Sequence, residues 1–140
     1  MRRGAYQIGI AKHHAMTQQD PSKLQVDEFI LGQIESVPHL EALLLLWNSR
    51  PRQWSLEQVA GALYISAQST VSILQDLQQR GLIHENSGNY SYNSEFKPEH
   101  LIHEVDMIYR RELIRVSRMI HSKAPSSVRE FARAFKFKKD

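Results

Sequence analysis

The chain has 140 residues, with 18 Lys and Arg against 15 Asp and Glu, seven His and no Cys. That length buries a core as one domain, or as a domain of about 100 residues with extensions, without covalent staples. The lack of cysteine excludes a disulfide framework, a Cys-ligated metal centre and a thiol nucleophile, and the longest apolar run, Ala42–Trp47, is far shorter than the ~20 residues of a membrane span.

The net charge of +3 is unevenly placed. Residues 1–37 balance, residues 38–97 lean acidic, and residues 98–140 hold ten of the bases, from Arg110 to Lys139. Attraction to phosphates must therefore come mainly from the C-terminal third. Arg2 and Arg3 imitate the start of a secretion signal, but the stretch after them holds Gly4, Gln7 and Gly9 and runs into Lys12-His13-His14. No leader is expected, and the expected location is the cytoplasm, away from membranes.

Residues 1–23 show neither helical nor strand period and read as a flexible N-terminal arm, with Met16 a candidate start of translation. Leu24, Val26, Phe29, Ile30 and Ile34 predict a short helix packed on the main domain. The first strong helix opens at Ser36-Val37-Pro38, a capping hydroxyl followed by a proline suited to the first turn. Leu40, Leu43, Leu44 and Trp47 fall at i, i+3, i+4 and i+7, and Leu45 and Leu46 widen the stripe until the helix is apolar nearly all round, as a central core helix is. Arg50-Pro51-Arg52 ends it, and Gln53-Trp54 is a short extended piece.

Ser55-Leu56-Glu57-Gln58 is a capping box that opens a second helix with Val59, Ala60 and Leu63 inward. Tyr64-Ile65 breaks the period and Ser66 opens a third, with Val71, Ile73, Leu74 and Leu77 inward and Gly81 as the residue past its end. Leu82-Ile83-His84 and Tyr90-Ser91-Tyr92 flank a turn-forming stretch and predict a β-hairpin. From Pro98 to about Ser122 one long helix is expected, its apolar positions Ile102, Val105, Tyr109, Leu113, Val116 and Ile120 forming a seam close to that of a coiled coil. At ~1.5 Å per residue it outruns the core of so small a domain, so part of its apolar face should pack elsewhere. Ser127-x-x-Glu130 reads as a further capping box before a last short helix, and Lys136–Asp140 as a basic tail.

The expected fold is therefore mainly α. Helix, extended piece, helix, turn, helix and hairpin is the order of a winged helix-turn-helix: a three-helix core, a two-stranded β wing and here a long C-terminal helix. The segments Ser55–Ser66, Thr70–Leu74 and Leu77–Ile83 resemble that family's core pattern, with Ala60 allowing close helix approach and Gly81-Leu82-Ile83 turning the last helix into the wing. The resemblance covers residues 36–93 and points to bacterial transcription regulators, the MarR-like group among them, in which terminal helices build a homodimer. Leu63–Ser66 and Phe131–Asp140 also resemble a set of small bacterial winged-helix proteins without an established function. The chain departs from the pattern in two ways. The family places glycine where Tyr64 stands, with the spacing from Ala60 to Val71 one residue longer than usual, and neither Ser66–Gln79 nor Ile83–Tyr92 holds a Lys or Arg. The domain reading is an arm over 1–23, a winged helix-turn-helix over 24–97, and C-terminal helices for dimerisation with the basic tail over 98–140.

DNA affinity comes mostly from Lys and Arg on phosphates, and base edges are read by a few side chains. Ser66, Gln68, Ser69 and Ser72 project from the first turns of the third helix and are the candidate readers, a solvated helix surface being the plainer account of them. Arg50 and Arg52 before the second helix, and Arg111 and Arg115 on the long helix together with Arg118, are the candidate phosphate contacts; pairing with Glu104, Asp106 and Glu112 is their plainer account. His100-x-x-His103-Glu104 lacks a further carboxylate for a metal site, and no Gly-rich phosphate loop or Ser-His-Asp grouping stands out, so no enzyme activity, metal or cofactor is expected. The expected function is a DNA-binding transcriptional regulator, a homodimer on double-stranded DNA, with the helix from Ser66 in the major groove. The alternative is a winged helix used as a protein–protein interaction module without sequence-specific DNA binding.

Overall fold

Three helix starts legible in the sequence carry their caps. The computed structural model describes residues 21–123. Its helices run Pro21–Gln33 (α1), Val37–Asn48 (α2), Leu56–Leu63 (α3), Ala67–Gln79 (α4), Leu101–Arg111 (α5) and Leu113–Ser122 (α6), and its strands Trp54–Ser55 (β1), Ile83–Asn86 (β2) and Asn89–Tyr92 (β3). Ser36 Oγ accepts the His39 N–H at the start of α2, Ser55 and Gln58 form a reciprocal capping box on α3, and Ser66 Oγ accepts the Ser69 N–H on α4. Each satisfies a donor that the helix geometry leaves without an internal partner.

The core forms around α2. Leu40, Ala42, Leu43 and Leu46 are wholly buried, and Val59 of α3, Leu74 and Leu77 of α4, and Ile102 and Val105 of α5 close over them in one continuous apolar cluster. The element order is that of a winged helix-turn-helix, and the hairpin is tighter than the sequence predicts. Ser87 and Gly88 both take positive φ, so a two-residue loop joins β2 to β3 with Ile83 opposite Tyr92 and Asn86 opposite Asn89. The extended piece at Trp54 becomes a third strand, antiparallel to β3 with Trp54 opposite Tyr90, in the order β1–β3–β2. Trp54 and Tyr92 thereby seal one side of the core.

Three expectations change. The helix expected from Leu24 begins at Pro21, inside the stretch read as an arm, and it packs chiefly against the C-terminal helices while its Val26, Phe29, Ile30 and Ile34 join the main core cluster. Asp27 grips Arg115, Phe29 meets the Phe96 ring edge-on at 6.0 Å, and Lys123 Nζ donates to the carbonyls of Ile30 and Leu31 at the end of α1. The long helix is broken at Glu112, whose φ of −128° and ψ of 48° interrupt it while its N–H still bonds to Ile108 O. No Pro or Gly causes the break; the Glu112 carboxylate is held at the bend by Lys23 and Arg115. The apolar seam is consequently used within the chain. Ile102, Val105, Tyr109, Val116 and Ile120 are buried in this single copy, whereas Leu113, on the seam by spacing, is exposed with Ile114 and Met107. The third change is Val71, expected inward but exposed, with Thr70 buried in its stead and its hydroxyl donating to Ser66 O. The capping box at Ser127, the helix after it and the basic tail lie outside the described residues.

Tyr64 ends α3 in the left-handed region, φ 58° and ψ 44°, where the family pattern has glycine. A side chain there crowds the backbone, and this ring is 95 % exposed, with no burial to offset the cost. Tyr64→Gly is expected to stabilise the fold by roughly 1 kcal/mol in chemical denaturation, part of the relief being offset by the freer unfolded chain. A lower midpoint would show that the ring contributes packing that its exposure does not reveal.

Candidate nucleic-acid interface

Helix α4 is amphipathic by position. Thr70, Ile73, Leu74 and Leu77 are buried, and opposite them Gln68, Ser72, Gln75 and Gln79 recur at i, i+4, i+7 and i+11, all exposed. The expected readers divide accordingly. Gln68 and Ser72 lie on this outward line, with side chains making no hydrogen bond among the described residues. Ser66 and Ser69 are engaged with each other at the cap, where Ser66 Oγ–H donates to Ser69 Oγ at 3.0 Å and accepts the Ser69 N–H at 3.0 Å. Gln75 and Gln79 continue the line and were not among the expected readers. Their signal was the helical spacing from Gln68, carried beyond the first turns.

The arginines sort by partner. Arg50 and Arg52 are exposed, their guanidinium carbons 3.4 Å and 3.7 Å from the ring centroids of Trp47 and Trp54. Stacking fixes the plane of each cation and leaves its edge open. Arg50 also donates to Trp47 O at 2.8 Å, which holds its guanidinium, and Trp54 Nε1–H donates to Ser49 Oγ at 2.8 Å, which anchors the second platform. Neither arginine has an ion pair among the described residues, and the same holds for exposed Arg111 and Arg118. Arg115 is different: two of its nitrogens reach the two Asp27 oxygens at 3.0 Å and 3.2 Å, and its Nε donates to Glu112. It ties α1 to α6. The break at Glu112 also puts Arg111 on α5 and Arg115 and Arg118 on α6, where one unbroken helix was expected. Arg110 is held by Asp106 and Asn48, and Arg80 by Asp76 and Glu35. Arg129, Arg133, Lys136, Lys138 and Lys139 lie outside the described residues.

A Ser-His-Asp grouping not evident in the sequence appears beside α4. His39 Nδ1 lies 2.7 Å from Ser36 Oγ and Nε2 lies 3.1 Å from Asp76 Oδ2. A neutral ring protonated at Nε2 satisfies both contacts, accepting from Ser36 and donating to Asp76. The Ser36 oxygen is already engaged as the helix cap, so the chain of bonds joins the start of α2 to the third turn of α4. Burial pushes the His39 pKa below its ordinary 6.5, outweighing the pull of Asp76 and Glu35, while Arg80 lowers it further. With Glu35, Ser72, Gln75, Gln79 and Arg80, this pair lines a polar groove along α4.

On the far side, α2, α3 and α5 enclose a cleft of about 490 Å³ floored by Leu44, Leu45 and Leu63 and overhung by Tyr64. Its rim is polar. Asp106, though buried, is bonded by Arg110 Nε at 3.1 Å and Asn48 Nδ2 at 3.3 Å, and Tyr109 O–H donates to Glu41 Oε2 at 3.2 Å. Among the described residues no group of three or more His, Asp or Glu gathers as a metal site, and no single helix is long and apolar enough to cross a membrane.

No protein-family model matches the chain, and no curated protein does. Solved structures do. A MarR family protein of Mycobacterium tuberculosis superposes with a TM-score of 0.51 at 17 % identity, over 86 % of each chain. MepR, a transcription regulator of the Staphylococcus aureus multidrug efflux pump MepA, gives 0.49 at 14 % identity over 94 % of this chain and 96 % of its own. A MarR family protein from Bacillus stearothermophilus gives 0.46 at 18 % identity over 85 % and 83 %. The first likeness identifies the fold as a MarR-like winged helix.

Two outcomes follow from the paired groups. Because the folded state keeps His39 neutral below the ordinary histidine pKa, stability should be full above pH 6.5 and decline as pH falls through the depressed value. His39→Gln should remove that part of the decline in denaturation curves taken between pH 7.5 and pH 5, and an unchanged profile would show that His39 does not carry it. Arg115→Ala should cost roughly 1 kcal/mol in the same assay, modest because the guanidinium is partly exposed. A neutral effect would mean that α1 is held by its apolar face alone.

Proposed function

Starting from a winged helix-turn-helix of MarR-like fold, we propose that the chain is a DNA-binding transcriptional regulator that seats α4 in the major groove. The observation that carries this is the outward line of α4, exposed hydrogen-bonding side chains without partners among the described residues, on a helix whose opposite face is locked into the core. Such a face gains nothing for the fold and suits base edges. Arg50, Arg52 and Arg111 supply phosphate contacts, the first two already oriented by their tryptophans. The regulator works as a homodimer through α1, α5 and α6, where Leu24, Leu31, Met107, Leu113 and Ile114 remain exposed. Two copies so joined would set their α4 helices about 34 Å apart, one turn of DNA.

A second reading is favoured by the lack of any Lys or Arg in α4, whose one charged residue is Asp76, and by the engagement of Arg80, Arg110 and Arg115 in ion pairs within the chain. On it, the same face docks a protein. Salt separates the two. Full-length protein with mixed-sequence duplex should lose affinity steeply between about 50 and 200 mM salt. Arg50→Ala, Arg52→Ala and Arg111→Ala should each lower the slope of log affinity against log salt by about 1, and Arg115→Ala should leave it unchanged. Failure to bind duplex at about 50 mM salt would overturn the DNA reading.

A further inference from the structure

We infer that the outward line of α4 selects adenine·thymine pairs, an inference that rests on the DNA-binding reading above and names what that site takes. Gln68, Gln75 and Gln79 each present a primary amide, an N–H₂ donor beside a carbonyl acceptor, and Ser72 stands among them. In the major groove adenine offers the mirror pattern, the N7 acceptor beside the N6 donor, and a glutamine amide meets both at once. Guanine offers two acceptors, N7 and O6, which call for two donors from one fork, the geometry of arginine. Helix α4 has no Lys or Arg. The nearest, Arg80 at its C-cap, borders the same groove as Ser72, Gln75 and Gln79, but its guanidinium is already engaged by Asp76, Glu35 and the carbonyl of Gly32 at 3.1 to 3.4 Å.

Two further observations point the same way. Val71 flanks the line and is 38 % exposed, an apolar surface on a helix that could have kept it polar. Beside an adenine-reading amide, it is placed for the C5-methyl of thymine, the one apolar group on a base-pair edge in that groove. Strands β2 and β3 hold no Lys or Arg either, so the wing adds no guanine-reading fork. From Gln68 to Gln79 the line runs about 16 Å along the helix, enough to pass four or so base pairs.

The test is fluorescence anisotropy with the full chain at about 50 mM salt on three duplexes of equal length and flanks. One has a mixed A·T core, one a G·C core, and in the third 7-deazaadenine replaces adenine in the A·T core, deleting N7 from the major groove and leaving the minor groove as it was. The A·T core should bind about tenfold or more tightly than the G·C core, and the 7-deaza duplex should fall back towards the latter. Gln75→Ala should shrink the ratio of A·T to G·C affinity, and Gln75→Arg should raise affinity for the G·C core. Equal affinity for both cores, preference for G·C, or an A·T preference untouched by 7-deazaadenine would overturn this inference while leaving DNA binding in place. No binding to any of the three would overturn the DNA reading itself.

Discussion

A helix that is apolar around most of its circumference is stable in water only if other elements cover it on every side, and α2 is such a helix. The requirement organises the described chain. Helices α3, α4, α5 and α6 and strand β3 all touch it, and Trp47 near its end packs edge-on against Tyr92 of β3 with ring centroids 5.1 Å apart. Covering α2 decides which face of α4 is inward. The residues left on the outer face of α4 are therefore a by-product of packing, and their chemistry is free to serve recognition.

Charge is distributed by the same economy. A guanidinium near a carboxylate in a partly dry joint is held by direct hydrogen bonds, and in this way Arg80 fastens α4 to the loop before α2 and Arg115 fastens α6 to α1, while Arg110, paired with Asp106 of its own helix, reaches α2 through the Asn48 amide. Glu112 shows the effect on titration: its hydrogen bonds from Arg115 and Lys23 hold its carboxyl below the ordinary carboxylate range. What remains for an external anion is a smaller set of cations. Two of these, Arg50 and Arg52, are oriented by indole rings rather than by acids, which fixes their geometry without neutralising them.

Much of this was legible residue by residue. The caps at Ser36, Ser55 and Ser66, the all-round apolarity of α2, and the left-handed turn at Gly81 are local consequences of side-chain chemistry, and local consequences can be read from short windows. The lack of Lys and Arg in α4 was equally plain. The outward line was legible in its first half, Gln68 and Ser72, and its continuation through Gln75 and Gln79 needed only the helical period to be carried further.

The rest depended on partners distant in the chain. The pairing of Arg115 with Glu112 was legible from helical spacing, but its tie to α1 was not, because Asp27 lies 88 positions away and spacing along one helix says nothing about an acid on another. The break at Glu112 escaped for the same reason: the residue is an ordinary helix former, and the bend is held by Lys23 on α1. His39 meets Asp76 only because covering α2 brings α4 alongside its first turn. Periodicity and capping thus determined the order of the elements and most of their starts, since both are interactions within a few residues, but not the split of the last long helix or the third strand. The local pairs Arg80–Asp76, Arg110–Asp106 and Arg115–Glu112 follow from helical spacing. Those of Arg80 with Glu35, Arg115 with Asp27 and Lys23 with Glu112 were settled by tertiary packing, because a pair between separate elements is specified by proximity in space and not by position in the chain.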